Sequence, residues 1–167
     1  MEKDEFLCKN GRIHFVGVGG ISMCALAKFM LKKGYKVSGS DLNRSRITDD
    51  LRALGVSIFI GHRAENVGDA QVVVYTSAIP ENNPEMKAAR RDGKLLLSRT
   101  ALLSYLANQY PQTVAICGSH GKTTATSMTA HVMRAGGVKL TAHIGGMDKK
   151  LGNLYYGGDA CFLTEAC

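Results

Sequence analysis

With 167 residues, 45% of them hydrophobic and 21% charged, the chain has room for one full domain and part of a second, and its composition is globular rather than disordered or fibrous. The formal charge of +7 favours anionic partners, yet the lysines and arginines are scattered without an aromatic-studded basic run, which points away from nucleic acid and toward nucleotide phosphates. Cys8, Cys24, Cys117, Cys161 and Cys167 form no C-x-x-C pair, the N-terminus lacks the apolar stretch of a signal peptide, and no apolar run could span a bilayer, so reduced thiols, no membrane insertion and a cytoplasmic setting are expected.

Residues 1–10 read as a loose arm. A buried strand is predicted over 12–16, then the turn Gly17-Val18-Gly19-Gly20-Ile21-Ser22, then an apolar helix over 20–33 with Gly34 just past its end. The next strand, 35–39, leads to Ser40 and Asp41. A strand, a G-x-G-G-x-S turn, a helix, and an acidic residue about twenty positions on make a diphosphate-binding βαβ unit. Gly17 and Gly19 permit the tight turn and the close approach of a pyrophosphate. Ser22 stands where the usual fingerprint has a third glycine, and Asp41 is placed to accept hydrogen bonds from a ribose or base. The bland alternative is a structural turn with Asp41 as a helix cap.

A polar helix over 46–54 and a strand over 56–60 follow, then a loop or short helix over 61–67. There His62 and Arg63 are within reach of a phosphate, or belong to a solvated loop. The strand 71–75 has the strongest β pattern of the chain and ends in Thr76-Ser77-Ala78-Ile79-Pro80. Thr76 and Ser77 either face a ligand at the strand's carboxyl end or serve turn chemistry before Pro80. Helix 84–92, strand 94–97 and helix 99–108 lead to Tyr110-Pro111, where the pattern breaks. The expected division is therefore 1–109 for a Rossmann-like domain with a parallel sheet, and 110–167 for the truncated start of a P-loop ATPase α/β domain.

The second part begins with an apolar run, Thr113 to Cys117, that enters Gly118-Ser119-His120-Gly121-Lys122-Thr123-Thr124, with helix-compatible residues over 124–135. Backbone N–H groups and a helix N-terminus converge there on one point, which favours a bound phosphate. Lys122 adds a positive charge for the outer phosphates, and the Thr123 hydroxyl is placed for Mg²⁺. Only two residues separate Gly118 from Gly121, two fewer than in the usual P-loop. Gly136-Gly137 ends the helix, 138–143 reads as a strand, and a glycine-rich loop runs to Gly158. The closing strand from Ala160 carries Glu165, either a second metal-side carboxylate or an exposed strand-end residue. One or two strands after such a helix make a poor sheet with bare edges, as in a fragment.

Four stretches, His14-Phe15-Val16-Gly17-Val18-Gly19-Gly20-Ile21-Ser22-Met23, Ser38-Gly39-Ser40-Asp41, Thr76-Ser77-Ala78-Ile79 and Gly118-Ser119-His120-Gly121-Lys122-Thr123-Thr124, resemble the ATP-dependent Mur ligases of peptidoglycan synthesis. Gly61-His62-Arg63-Ala64-Glu65-Asn66-Val67 fits one member's pattern. The resemblance implies an N-terminal UDP-substrate domain, a central ATPase domain and a third domain admitting the amino acid. It implies UDP-N-acetylmuramate, L-alanine and ATP as reactants with Mg²⁺, the lactyl carboxylate being phosphorylated and then attacked by the amine. It places Gly17, Gly19, Gly20, Ile21, Ser22, Asp41, His62, Thr76 and Ser77 at the UDP group. Gly118, Ser119, His120, Gly121, Lys122, Thr123 and Thr124 fall at ATP, with Lys122 catalytic and Thr123 and Glu165 at the metal. Ser22, Ser119 and Cys167 depart from the family's usual glycine, threonine and aspartate. The alternatives are a ligase recycling murein peptides and a stand-alone nucleotide-binding module. A dinucleotide oxidoreductase has no use for the Gly-Lys-Thr loop.

Overall fold

The computed structural model describes residues 11–166, so the expected N-terminal arm, Cys8 and Cys167 lie outside the described residues. Two compact units divide between Leu102 and Leu103. This point is earlier than the break read at Tyr110-Pro111, and the reason is packing: the Tyr110 ring is buried 5.0 Å from that of Phe162 in the second unit.

In the first unit, β1 (Arg12–Val16), β2 (Lys36–Asp41), β3 (Ser57–Ile60), β4 (Val72–Tyr75) and β5 (Leu95–Ser98) form an all-parallel sheet in the order β3-β2-β1-β4-β5. Parallel strands need crossovers, supplied here by α1 (Ile21–Lys32), α2 (Arg46–Ala53) and α3 (Pro84–Arg91), with α4 (Arg99–Ala107) following β5. Between β3 and β4 the crossover is only a 3-10 turn, Ala64–Val67. Strand order reverses between β1 and β4, which opens the crevice at their carboxyl ends where ligands of open α/β sheets lie. The apolar α1 buries Met23 to Ala27, Phe29 and Met30, and Gly34 ends it at φ +90°.

Alternation along the strands separates two faces. Ile13 and Phe15 point to one; His14 and Val16 point to the other, where register places Ser38 and Ser40 beside them. Val16, Val67, Val73, Ala88 and Ala89 form an apolar cluster on that second face. Its β2 side is polar, an uncommon choice for a parallel sheet.

In the second unit, β6 (Gln112–Ile116), β9 (Cys161–Glu165) and β7 (Leu140–Asp148) run parallel, and β8 (Gly152–Tyr156) pairs antiparallel with β7, in the order β6-β9-β7-β8. The helix α5 (Lys122–Ala135) seats Ala130 against Leu140, Ala142, Ile144 and Leu163. Two expectations are corrected here. Three strands follow α5 rather than one or two, because the segment read as a glycine-rich loop forms a hairpin. Gly152 at φ +70° makes its bend, and Asp148 Oδ1 accepts from the N–H groups of Lys150 and Leu151, both at 2.8 Å. The helix begins at Lys122, two residues early, since Gly121 in the left-handed conformation (φ +72°) already serves as its N-cap. The bare edge that sequence implied is present: Gln112, Thr113, Val114 and Ala115 of β6 are exposed.

Candidate functional site

Each unit contributes one phosphate-type turn, and each is built from its own strands. In the first, β1 ends at Val16 and the chain turns at Gly17, whose φ of +80° suits glycine and whose missing Cβ leaves room for Ile79, 3.3 Å from that position. Gly17 and Val18 both donate from their N–H to the Ser40 carbonyl at 2.9 Å. Gly19 donates to Asp41 Oδ2 at 2.9 Å, and a Cβ there would stand 2.7 Å from the same oxygen. Asp41 Oδ1 accepts from the Asn43 N–H at 3.3 Å. Asp41 therefore shapes the turn itself, as well as being half-exposed at the carboxyl end of β2.

Gly20 caps α1 through its backbone, and Ile21, 38% exposed, opens the helix. Ser22 Oγ accepts from Arg99 Nη1 at 3.3 Å, so the residue in the third-glycine position is tied to the start of α4. Thr76 and Ser77 follow β4, beside β1, and turn chemistry operates there: Thr76 Oγ1 accepts from the Ala78 N–H at 3.3 Å, and the Thr76 carbonyl from Ile79 at 3.0 Å. The structure thus gathers Gly17, Gly19, Gly20, Asp41, Thr76 and Ser77 at one end of the sheet.

His62 is a correction. Rather than standing in a solvated loop, its side chain is 9% exposed and Nδ1 faces Glu85 Oε2 at 3.2 Å. Glu85 is fully buried at the first turn of α3, a favourable end for a carboxylate, whose N-cap Asn83 accepts from the N–H groups of Glu85 and Met86. Its Oε2 accepts from Ser40 Oγ at 2.6 Å; its Oε1 accepts from Asn66 Nδ2 at 2.5 Å and from the Arg63 N–H at 3.3 Å. His14 Nε2 lies 3.5 Å from Oε2. Burial pushes the Glu85 carboxyl up, but the nearby His14 and the hydrogen bonds from Ser40 and Asn66 outweigh it and hold the group at about 2. Sequence reasoning missed this buried cluster, because a glutamate after Asn-Pro at a helix start looks like an ordinary exposed dipole partner.

In the second unit, Gly118 at φ +153° and Gly121 form the loop between β6 and α5, exposed from Cys117 through Gly121. Lys122 Nζ donates to the Gly118 carbonyl at 2.6 Å and to that of Ser119 at 3.5 Å, which holds its charge over the loop. Ser119 and His120 are exposed within it, and Thr123 and Thr124 lie in the first turn of α5. Register sets Glu165 beside Ile116, and its carboxylate accepts from the Gly145 N–H at 2.8 Å. A Cβ on Gly146 would stand 2.8 Å from Thr123 Cγ2, and one on Gly145 would collide with the Glu165 carboxylate. Two consecutive glycines of β7 thereby let Thr123 and Glu165 approach the same stretch. The Thr123 atom nearest Gly146 is its methyl carbon; a threonine hydroxyl and one carboxylate from this edge would suit Mg²⁺, which keeps several of its waters. Gly145 and Gly146 were the residues that the sequence reading left in a loop.

Among the described residues, no group of three or more His, Cys, Asp or Glu side chains is placed to hold a metal, and no helix is long and apolar enough to cross a membrane. Cys24, Cys117 and Cys161 are free.

Residues 12–111 match the Mur ligase family, catalytic domain. The chain is 46% identical over 160 residues to the UDP-N-acetylmuramate–L-alanine ligase of Clostridium beijerinckii, covering 95% of this chain and 35% of that protein, and 43% identical over 164 residues to that of Clostridium tetani, covering 98% and 36%. The UDP-N-acetylmuramate-alanine ligase structure from Thermotoga maritima superposes with a TM-score of 0.86 at 34% identity, over 92% of this chain and 37% of that one. A murein peptide ligase from Psychrobacter arcticus gives 0.85 at 26% identity, over 94% and 38%. The chain spans about a third of the length of these curated relatives. A shared fold, and a family match over residues 12–111, lead to one conclusion: the chain belongs to the Mur ligase family.

Proposed function

We propose that this chain is the N-terminal part of an ATP-dependent ligase that joins L-alanine to the lactyl carboxylate of UDP-N-acetylmuramate, a step in peptidoglycan precursor synthesis. The observation that carries the reading is the convergence of Lys122, Thr123 and Glu165 around the Gly118–Gly121 loop and the Gly145-Gly146 pair. A carboxylate oxygen of the substrate attacks the γ-phosphorus of ATP, and ADP leaves. The alanine amine then attacks the acyl carbon, phosphate departs, and an amide remains. Phosphoryl transfer asks the protein for position and charge neutralisation more than for covalent chemistry. Backbone N–H groups of residues 118–122 cradle the phosphates, and Lys122 exchanges its loop carbonyls for phosphate oxygens. Thr123 and Glu165 hold Mg²⁺, which supplies the remaining positive charge. The turn at Gly17, Gly19 and Gly20, with Ile21, Ser22, Asp41, His62, Thr76 and Ser77 around it, holds the UDP group.

The alanine-adding reaction is preferred to murein-peptide recycling because the alanine ligase structure is 34% identical and the peptide ligase structure 26%. The 167-residue chain binds the UDP-sugar without turning it over. In the full-length protein, Lys122→Ala is expected to abolish ligation while leaving UDP-N-acetylmuramate affinity within about twofold, read by phosphate release and calorimetry. Near-normal turnover in that variant would refute the proposal.

A further inference from the structure

Proton positions around Glu85 follow from elementary chemistry. Ser40 Oγ lies 2.6 Å from Glu85 Oε2, so its single proton is committed to that carboxylate. His62 Nδ1 then faces two acceptors, Ser40 Oγ at 3.1 Å and Glu85 Oε2 at 3.2 Å. A neutral imidazole carries one N–H, which must sit on Nδ1, leaving Nε2 as a lone pair. His14 is held less closely. Its Nδ1 is 2.9 Å from Ser38 Oγ, while its Nε2, 3.5 Å from Glu85 Oε2, makes no hydrogen bond. His14 is fully buried, so the tautomer that Glu85 sets by hydrogen bonding is that of His62.

His62 is at the ligand edge. It stands just past the carboxyl end of β3, and the preceding Gly61 donates its N–H to the Asp41 carbonyl at 2.8 Å. An acidic residue in the place of Asp41, at the end of the second strand, takes ribose hydroxyls. His62 follows β3, one strand further out along the same edge.

We propose that Glu85 is a positioning residue for the nucleotide edge, fixing His62 in the Nδ1–H tautomer so that Nε2 accepts a hydrogen bond from the imide N–H of the base. Uracil offers that donor; cytosine, whose ring nitrogen at the same place carries no proton, does not. The same carboxylate steadies Ser40, from whose carbonyl the glycine turn hangs. The proposal rests on reading this edge as the UDP site.

The test uses the 167-residue chain. Nitrogen NMR of ¹⁵N-histidine-labelled protein without ligand, at a pH well above the ordinary imidazole range, is expected to show His62 as the Nδ1–H tautomer. Calorimetry is expected to show UDP bound about tenfold more tightly than CDP, a difference of about 1.4 kcal/mol. In Glu85→Gln, with the fold checked by circular dichroism, that preference shrinks toward unity. An Nε2–H tautomer in the unsubstituted chain, or equal binding of UDP and CDP, overturns the proposal even where Glu85→Gln does not fold. Absence of any UDP binding beside the Nδ1–H tautomer would instead count against the site reading, so the two failures are distinguishable.

Discussion

Asp41 and Glu85 are both carboxylates at the ends of their elements, yet they act differently. Asp41 is half-exposed and braces the glycine turn through Gly19. Adding a methyl group in Gly19→Ala pushes the carboxylate off that N–H; because a side-chain tip can swing aside, stability is expected to change by less than about 1 kcal/mol while UDP-N-acetylmuramate affinity falls about tenfold in calorimetry. Glu85, held at about 2 against an ordinary 4.5, makes stability pH-dependent. A depressed folded-state value means its contribution is present above pH 4.5 and is lost as pH falls toward 2. The loss amounts to about 3 kcal/mol. Urea unfolding at a series of acid pH values is expected to show this decline in the parent and a flatter one in Glu85→Gln. An equal slope in both would rule Glu85 out as its source.

At the scale of elements, local sequence rules determined most of the outcome. The strands β1 and β4 were legible as compact apolar runs, and the helix α2 begins where Ser45 and Thr48 form a reciprocal capping box, at 3.3 Å and 2.9 Å. Ser45→Ala is expected to cost about 1 kcal/mol in denaturant unfolding, with ligand affinity unchanged. The antiparallel strand β8 was illegible because glycines crowd its ends and only Asn153 to Tyr156 carry strand character. Likewise Gly145 and Gly146 read as loop, since nothing local reveals that Thr123 and Glu165 need the space their missing side chains leave. Glycine signals in sequence mark a turn or a close approach alike, and only the packed neighbours distinguish the two.

For the molecule as a whole, the motifs identified the fold of the first unit and the position of both glycine turns, while the buried polar cluster stayed hidden because its members are scattered from His14 to Glu85. Two compact units predict two unfolding transitions. UDP-N-acetylmuramate at about a hundred times its dissociation constant is expected to stabilise one of them by about 2.7 kcal/mol and leave the other where it was. Circular dichroism melts with and without the ligand check this, and a common shift of both would show that the units unfold together.

The bond from Ser40 to Glu85 spans 45 residues of chain. A contact of that reach forms only after the intervening segment has closed on itself, against the entropy of a long loop. The turn's own bond, from Gly19 to Asp41, spans only 22 residues, so during refolding the turn is expected to close before the brace that steadies it.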